Sequence, residues 1–212
     1  MTTERIAVFD ILGPMYHYDP RGWTNGAVEG LLIRLERHKY VFTNDNEAAQ
    51  AEEDLQKSGR EEIYIMPGFA ETVLYLREQK VRPVVVSAGT PWVLEHTVEL
   101  AAREYSARAG RHLTREQLVA PTDLVSTVPI GSKKDPQTWR RAVQPYAGAE
   151  VIAVYEDTFA NLTAAMPGVT PQVGYHVTST QNGLARLCRD ERIYRGHMLE
   201  VLEHLQKEVL PK

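Results

Sequence analysis

Five short β-branched runs, none strictly alternating between apolar and polar, end in polar or glycine residues, the pattern of strands buried on both faces of a parallel sheet. They are Arg5 to Ile11, Val81 to Ala88, a weaker run from Asp123 to Val128, Glu150 to Tyr155, and Gln172 to Val177. Between them, apolar positions recur at helical spacing. Glu71 to Gln79 presents Val73, Leu74 and Leu76 opposite charged residues, and Pro91 to Tyr105 is anchored by Val93, Leu94, Val98, Leu100 and Ala101. Trp139 to Tyr146, Phe159 to Met166 and Tyr194 to Val209 complete the helical set. Strands alternating with helices predict βαβ crossovers and an α/β fold whose central sheet is mostly parallel and covered on both faces. In that class, sites form at the carboxyl ends of strands.

One stretch breaks the alternation. From Pro14 to Met66 the chain carries two helical patterns and no convincing strand: Gly26 to His38, with Val28, Leu31, Leu32 and Leu35, then Asn46 to Lys57, rich in Ala, Glu and Gln. Gly13-Pro14 and Met66-Pro67-Gly68 punctuate its edges. The expected organisation is a core domain of residues 1–13 and 67–212 with a small helical lobe, 14–66, inserted after the first strand.

With 212 residues, the chain has room for one domain and a small accessory lobe. Its net charge of -4 lacks the basic footprint of a nucleic-acid binder. The single cysteine, Cys188, can neither close an internal disulfide nor complete a zinc site, which fits a reducing cytoplasm. No signal peptide is evident at Met1 to Arg5, and the longest stretch free of Asp, Glu, Lys and Arg, Thr158 to Ala185, is too interrupted to span a membrane. His197, Glu200 and His204 are spaced to share a helix face, a metal-binding pattern that an amphipathic helix explains more simply. Trp23, Trp92 and Trp139 read as packing, with Trp23 and Trp92 placed where they could touch substrate, and Cys188 with Leu184 and Leu187 reads as core. The helix Tyr194 to Val209 is open to packing on the core or on a second copy in a homodimer.

Three strand ends carry polar residues in order: Phe9-Asp10-Ile11-Leu12-Gly13, Val86-Ser87-Ala88-Gly89, and Tyr155-Glu156-Asp157-Thr158. Before the last lies Gly131-Ser132-Lys133-Lys134-Asp135-Pro136, at a helix start. In a parallel sheet Asp10, Ser87, Lys133 and Asp157 can converge on one edge as nucleophile, hydrogen-bond donor, cation and metal-binding carboxylate. Taken singly, each has an ordinary role: a turn or helix cap for Asp10 and Asp157, a turn residue for Ser87, a solvated lysine for Lys133. Their order carries the chemical reading.

These segments resemble the four motifs of the haloacid dehalogenase (HAD) superfamily of aspartate-nucleophile hydrolases. Asp10 after IAVF resembles the motif I nucleophile, Ser87 in PVVVSAG motif II, and Lys133 in GSKKDPQTW the motif III lysine, with Lys134 as the alternative. VYEDTFANLTAA resembles motif IV, with Asp157 as metal ligand and Asn161 where a second acid often stands. The resemblance implies a Rossmann-like core and reads the inserted lobe as a cap. It also implies an aspartyl-phosphate intermediate on Asp10, with the phosphoryl group of a small phosphorylated substrate held by Ser87, Ala88, Gly89 and Lys133. Mg2+ would be bound by Asp10, Asp157 and the backbone carbonyl of Leu12.

Two departures qualify this picture. The acid that usually follows the nucleophile by two residues is Leu12, and Pro14 stands where threonine is usual. Without that acid, a phosphatase is expected to favour good leaving groups such as acyl phosphates, unless a cap residue donates the proton; Tyr16, His17 and Tyr18 are candidates. The alternatives are a HAD-fold binding or interaction module without turnover, and a carbon-halogen or phosphonate hydrolase using the same aspartate. A Schiff-base phosphonate hydrolase would need a cap lysine, and Lys39 and Lys57 both read as solvated surface.

Overall fold

The structure, a computed structural model, describes residues 3–17, 44–60, 62–178, 181–187 and 192–211. Its centre is β1 (Arg5–Phe9), which pairs in parallel with β4 (Arg82–Ser87) on one side and β6 (Glu150–Glu156) on the other. Outside β4 lies β5 (Leu124–Ser126); outside β6 lie β7 (Val173–Val177), β9 (Ile193–Gly196) and β8 (Ala185–Arg186). The seven-stranded order is β5-β4-β1-β6-β7-β9-β8, and only the β8–β9 pair is antiparallel. All five runs read as buried strands are therefore strands of one sheet, as the β-branched pattern predicts.

Side chains alternate faces along a strand, so β1 feeds two cores. Ala7 and Phe9 join one apolar cluster, while Ile6 and Val8 join the other; on β4, Val85 joins the first, and Val84 and Val86 the second. The first cluster is covered by α2 (Phe69–Glu78), α3 (Pro91–Ala109) and α7 (Met198–His204), through Val73, Leu94, Val98 and Val201. The second is covered by α5 (Pro136–Ala142) and α6 (Phe159–Val169), through Trp139, Leu162 and Ala165. Each buried aliphatic side chain here stabilises by about 1.5–3 kcal/mol relative to exposure. Phe9 stacks on Tyr155 with ring centroids 4.1 Å apart, fixing the two strands that carry the central acids.

The inserted segment is partly described. The run from Asn46 to Lys57 forms α1 (Asp45–Lys57), capped by the Asn44 side chain. Where no strand was expected, β2 (Tyr16–His17) and β3 (Tyr64–Ile65) pair antiparallel and join the two ends of the insert. Two residues each are too few for a period-2 pattern to register. The expected helix from Gly26 to His38, with Tyr18, Trp23 and Lys39, falls outside the described residues, as does the side chain of His17. Lys57 is exposed, pairs with Glu53, and lies over Trp92, 4.9 Å from the ring centroid.

The carboxyl-terminal region corrects the sequence reading. Tyr194 belongs to β9, and the helix begins at Met198. Ile193 and Tyr194 favour a strand, and their spacing to Met198 and Val201 imitates a helical stripe. His197 caps that helix: its Nδ1 accepts from Leu199 N at 3.2 Å, while Glu200 accepts from His197 N at 2.8 Å. His204 Nδ1 pairs with the Tyr175 hydroxyl at 2.9 Å. The three residues thus serve capping and packing, not a metal. The helix packs on its own core, and the Tyr75 hydroxyl donates to the Leu210 carbonyl beyond it. Leu184 packs against the core, whereas Leu187 is 40% exposed, so it is no core residue; Cys188 lies outside the described residues. A short helix, α4 (Arg115–Leu118), also went unread. Among the described residues, no helix is long and apolar enough to cross a membrane.

The close approach of α5 and α6 depends on Gly168. A Cβ there would lie 2.9 Å from the Pro136 carbonyl oxygen and 2.9 Å from Trp139 Cβ. Gly168→Ala is expected to cost about 1–3 kcal/mol, read as a lower urea midpoint with an unchanged m value.

Candidate active site

Asp10 follows β1 directly. Its amide donates to the Tyr155 carbonyl at 2.9 Å, and its Oδ1 accepts from Ile11 N at 2.8 Å. The chain then turns tightly: Met15 N and Tyr16 N both donate to the Ile11 carbonyl, and Gly13 takes φ 99°. That positive φ suits glycine and sends the chain out into the insert. Ser87 ends β4, with its carbonyl accepting from Thr127 N at 2.7 Å; the loop beyond it is held by Ser126 Oγ donating to the Gly89 carbonyl at 2.8 Å. Asp157 follows β6. Because β4, β1 and β6 are adjacent and parallel, their carboxyl ends bring Asp10, Ser87 and Asp157 to one edge.

Lys133 reaches this edge from the loop before α5, where Trp139 Nε1 donates to its backbone carbonyl at 2.7 Å. Its ammonium lies 2.7 Å from Asp10 Oδ2 and 2.6 Å from Glu156 Oε2. Lys134 is exposed, so of the two candidate lysines it is Lys133 that enters the acidic cluster. Glu156, fully buried, also accepts from Asn161 Nδ2 at 2.9 Å. Asn161 thus orients an acid instead of supplying one.

Electrostatics define what this cluster needs. Burial pulls the Lys133 pKa down, but the Asp10 and Glu156 carboxylates outweigh it and hold the ammonium above its ordinary range, so it stays charged. Burial, reinforced by the Asp10 charge, raises Glu156 well above the usual carboxylate range. The same two causes, burial first, push Asp157 up to about 7. Asp10, Glu156 and Asp157 each offer an oxygen within 4.8 Å of the others. Asp157 Oδ2 is buried without a hydrogen-bond partner. Three carboxylates against one ammonium leave two negative charges uncompensated when all are ionised, and an orphaned carboxylate oxygen sits among them. This donor set suits a hard divalent cation.

A cavity of about 520 Å³ adjoins the cluster, lined by Asp10, Leu12, Tyr16, Glu52, Ser87 and Lys133 among others; Glu156 and Asp157 lie behind this lining. Ala88 and Gly89 line it as expected. Leu12 brings a buried apolar side chain and no acid. The unforeseen residue is Glu52, on α1, which is 6% exposed. Its signal was present: it stands three residues from both Ala49 and Leu55, on the stripe α1 turns inward.

No family model and no curated protein sequence matches the chain. Solved structures do. A protein from Thermotoga maritima provisionally assigned as a β-phosphoglucomutase is similar over 96% of this chain and 99% of its own, with TM-score 0.56 and 16% identity. CbbY from Rhodobacter sphaeroides, solved with phosphate, is similar over 84% and 88%, with TM-score 0.52 and 15% identity. A dehalogenase is similar over the whole of both chains, with TM-score 0.55 and 13% identity. These likenesses show the fold: an α/β architecture with a mostly parallel seven-stranded sheet that matches HAD-like structures.

A divalent cation at this cluster would compete with protons for it. Asp157 holds its proton below about pH 7 and must release it to act as a ligand. Calorimetric titration is therefore expected to find weaker cation binding at about pH 6 than at about pH 8, with protons released on binding. Equal affinity at both values would remove Asp157 from the ligand set.

Proposed function

We propose that this protein is a magnesium-dependent hydrolase of a small phosphorylated metabolite that works through an aspartyl phosphate on Asp10. The observation that carries this reading is the Lys133 ammonium fixed against Asp10 Oδ2 in the lining of a cavity, with Asp157, which keeps a buried carboxylate oxygen without a hydrogen-bond partner, in the same acidic cluster. On this reading residues 14–66 are the cap of the site.

Asp10 is the nucleophile. Its Oδ1 is occupied by the Ile11 amide and its Oδ2 faces Lys133. Attack on phosphorus forms the Asp10–phosphate bond as the bond to the leaving oxygen breaks; water then cleaves the intermediate and restores the carboxylate. Charge spreads over the equatorial phosphoryl oxygens in both steps. Ser87 and the backbone of Ala88 and Gly89 offer hydrogen bonds to those oxygens, and Lys133 offers positive charge. Asp10, Asp157 and the Leu12 carbonyl would hold magnesium, which supplies further positive charge and offsets the repulsion between the two aspartates. Glu156 keeps Lys133 in place through the 2.6 Å ion pair, and Asn161 keeps Glu156 in place.

Position 12 cannot protonate the departing oxygen. Substrates whose leaving group departs as a weak base, acyl phosphates above all, are favoured for that reason. Leu12 also keeps open a second reading, a binding module that retains the fold without turnover.

The test is phosphate release with magnesium from acyl phosphates, sugar phosphates, nucleotides and an activated aryl phosphate. Release is expected to be fastest for the best leaving groups and to be lost in Asp10→Asn. If no substrate gives release that depends on Asp10, the hydrolase reading fails in favour of the binding module. Halide release from haloacids would instead establish carbon-bond chemistry.

A further inference from the structure

We propose that Glu52, on the inserted helix α1, is the proton donor that Leu12 cannot be. This inference rests on the aspartyl-phosphate reading and names the residue through which more basic leaving groups depart.

Position 12 and Glu52 are linked by one side chain. Leu12 forms an isolated bridge with Tyr16, and Gly13 N donates to the Tyr16 carbonyl at 2.8 Å, so the tyrosine backbone is locked beside the position that lacks an acid. The Tyr16 ring is 1% exposed, and its hydroxyl donates to Glu52 Oε1. Gln56 Nε2 donates to the same oxygen at 3.3 Å. Tyr16 and Glu52 line the cavity that also holds Asp10, Ser87 and Lys133. Tyr16 is therefore a positioning residue, and the carboxyl it holds is the one that α1 brings to the substrate.

Helix α1 is in turn fastened to the core beside the site. The Thr90 hydroxyl donates to Glu53, and Lys57 pairs with Glu53 while lying over the Trp92 ring. Thr90 stands three residues after Ser87 and caps α3 by accepting from Val93 N at 3.3 Å. Successive helix residues point about 100° apart. With Glu53 tied to Thr90, its neighbour Glu52 is turned into the cavity.

The chemistry balances. As Asp10 bonds to phosphorus, the bond from phosphorus to the leaving oxygen breaks, and Glu52 transfers its proton to that oxygen to give the alcohol. In the second step water attacks phosphorus, the Asp10–phosphate bond breaks, and the Glu52 carboxylate takes the proton that water sheds. Inorganic phosphate departs and both side chains regain their starting states.

The experiment compares an alkyl monoester, a polyol monophosphate, with an activated aryl phosphate in wild type, Glu52→Gln, Tyr16→Phe and the double variant Leu12→Asp/Glu52→Gln. Glu52→Gln keeps the acceptor for Tyr16, and circular dichroism and melting temperature check its fold. Its kcat on the alkyl ester is expected to fall by about 10²–10⁴-fold, with a far smaller fall on the aryl ester, which needs no proton. Tyr16→Phe should show a weaker loss with the same selectivity. Restoring a carboxyl at position 12 should recover alkyl turnover in the double variant. Equal losses on both esters, no loss on the alkyl ester, or a wild type inactive on the alkyl ester while active on the aryl one would each overturn the role of Glu52. Absence of Asp10-dependent release from the aryl ester would overturn the parent reading instead.

Discussion

A buried ammonium between two buried carboxylates organises this molecule. Lys133 lies within 2.7 Å of both Asp10 and Glu156, and all three are under a tenth exposed. Taking such charges out of water costs several kcal/mol per ion, and removing one partner of a buried pair typically costs about 3–5 kcal/mol. The cluster is stable only if each charge is met at the right distance, so the surrounding structure is constrained. Strands β1 and β6 must be neighbours in a register that aligns Phe9 with Tyr155, because Asp10 and Glu156 stand next to that pair. The Trp139 indole must reach the Lys133 carbonyl, which explains a fully buried tryptophan at the start of α5.

Much of this was legible in the sequence. Parallel strands buried on both faces need continuous β-branched runs, and the five visible runs became five strands of the central sheet. Asp10, Ser87, Lys133 and Asp157 could be placed together because strand ends in such a sheet converge without knowledge of any side-chain contact. Elements whose pattern is too short to carry a period were lost. The pairs β2–β3 and β8–β9 involve strands of two to four residues, and β9 adjoins a helix whose apolar spacing absorbs it. Choosing between Lys133 and Lys134 required the loop's direction, which follows from tertiary anchoring and not from local pattern.

The roles of neighbouring acids were less legible still. Glu156 reads from sequence as a companion of Asp157, yet in the fold it faces Lys133, while Asp157 keeps a buried oxygen without a partner. Adjacent residues at a strand end point in opposite directions, so consecutive acids meet different surroundings: one pairs with the ammonium of Lys133, and the other keeps an oxygen without a hydrogen-bond partner. Burial then raises the pKa of both, which makes an unneutralised cluster costly when ionised and favours a divalent partner.

Position 12 follows from the same constraint. An acid there would add a carboxyl group close to a cluster that already sets three against one ammonium. A leucine removes that repulsion and packs into the core beside Phe9 and Tyr16. On the proposed reading, a proton-carrying group on α1 stands on an element separate from the strand ends that carry the acidic cluster. On that reading the core would supply nucleophile, cation and phosphoryl-binding groups, whose requirements are the same for every phosphate ester. A proton donor on α1 would then be positioned by the insert, apart from that common machinery.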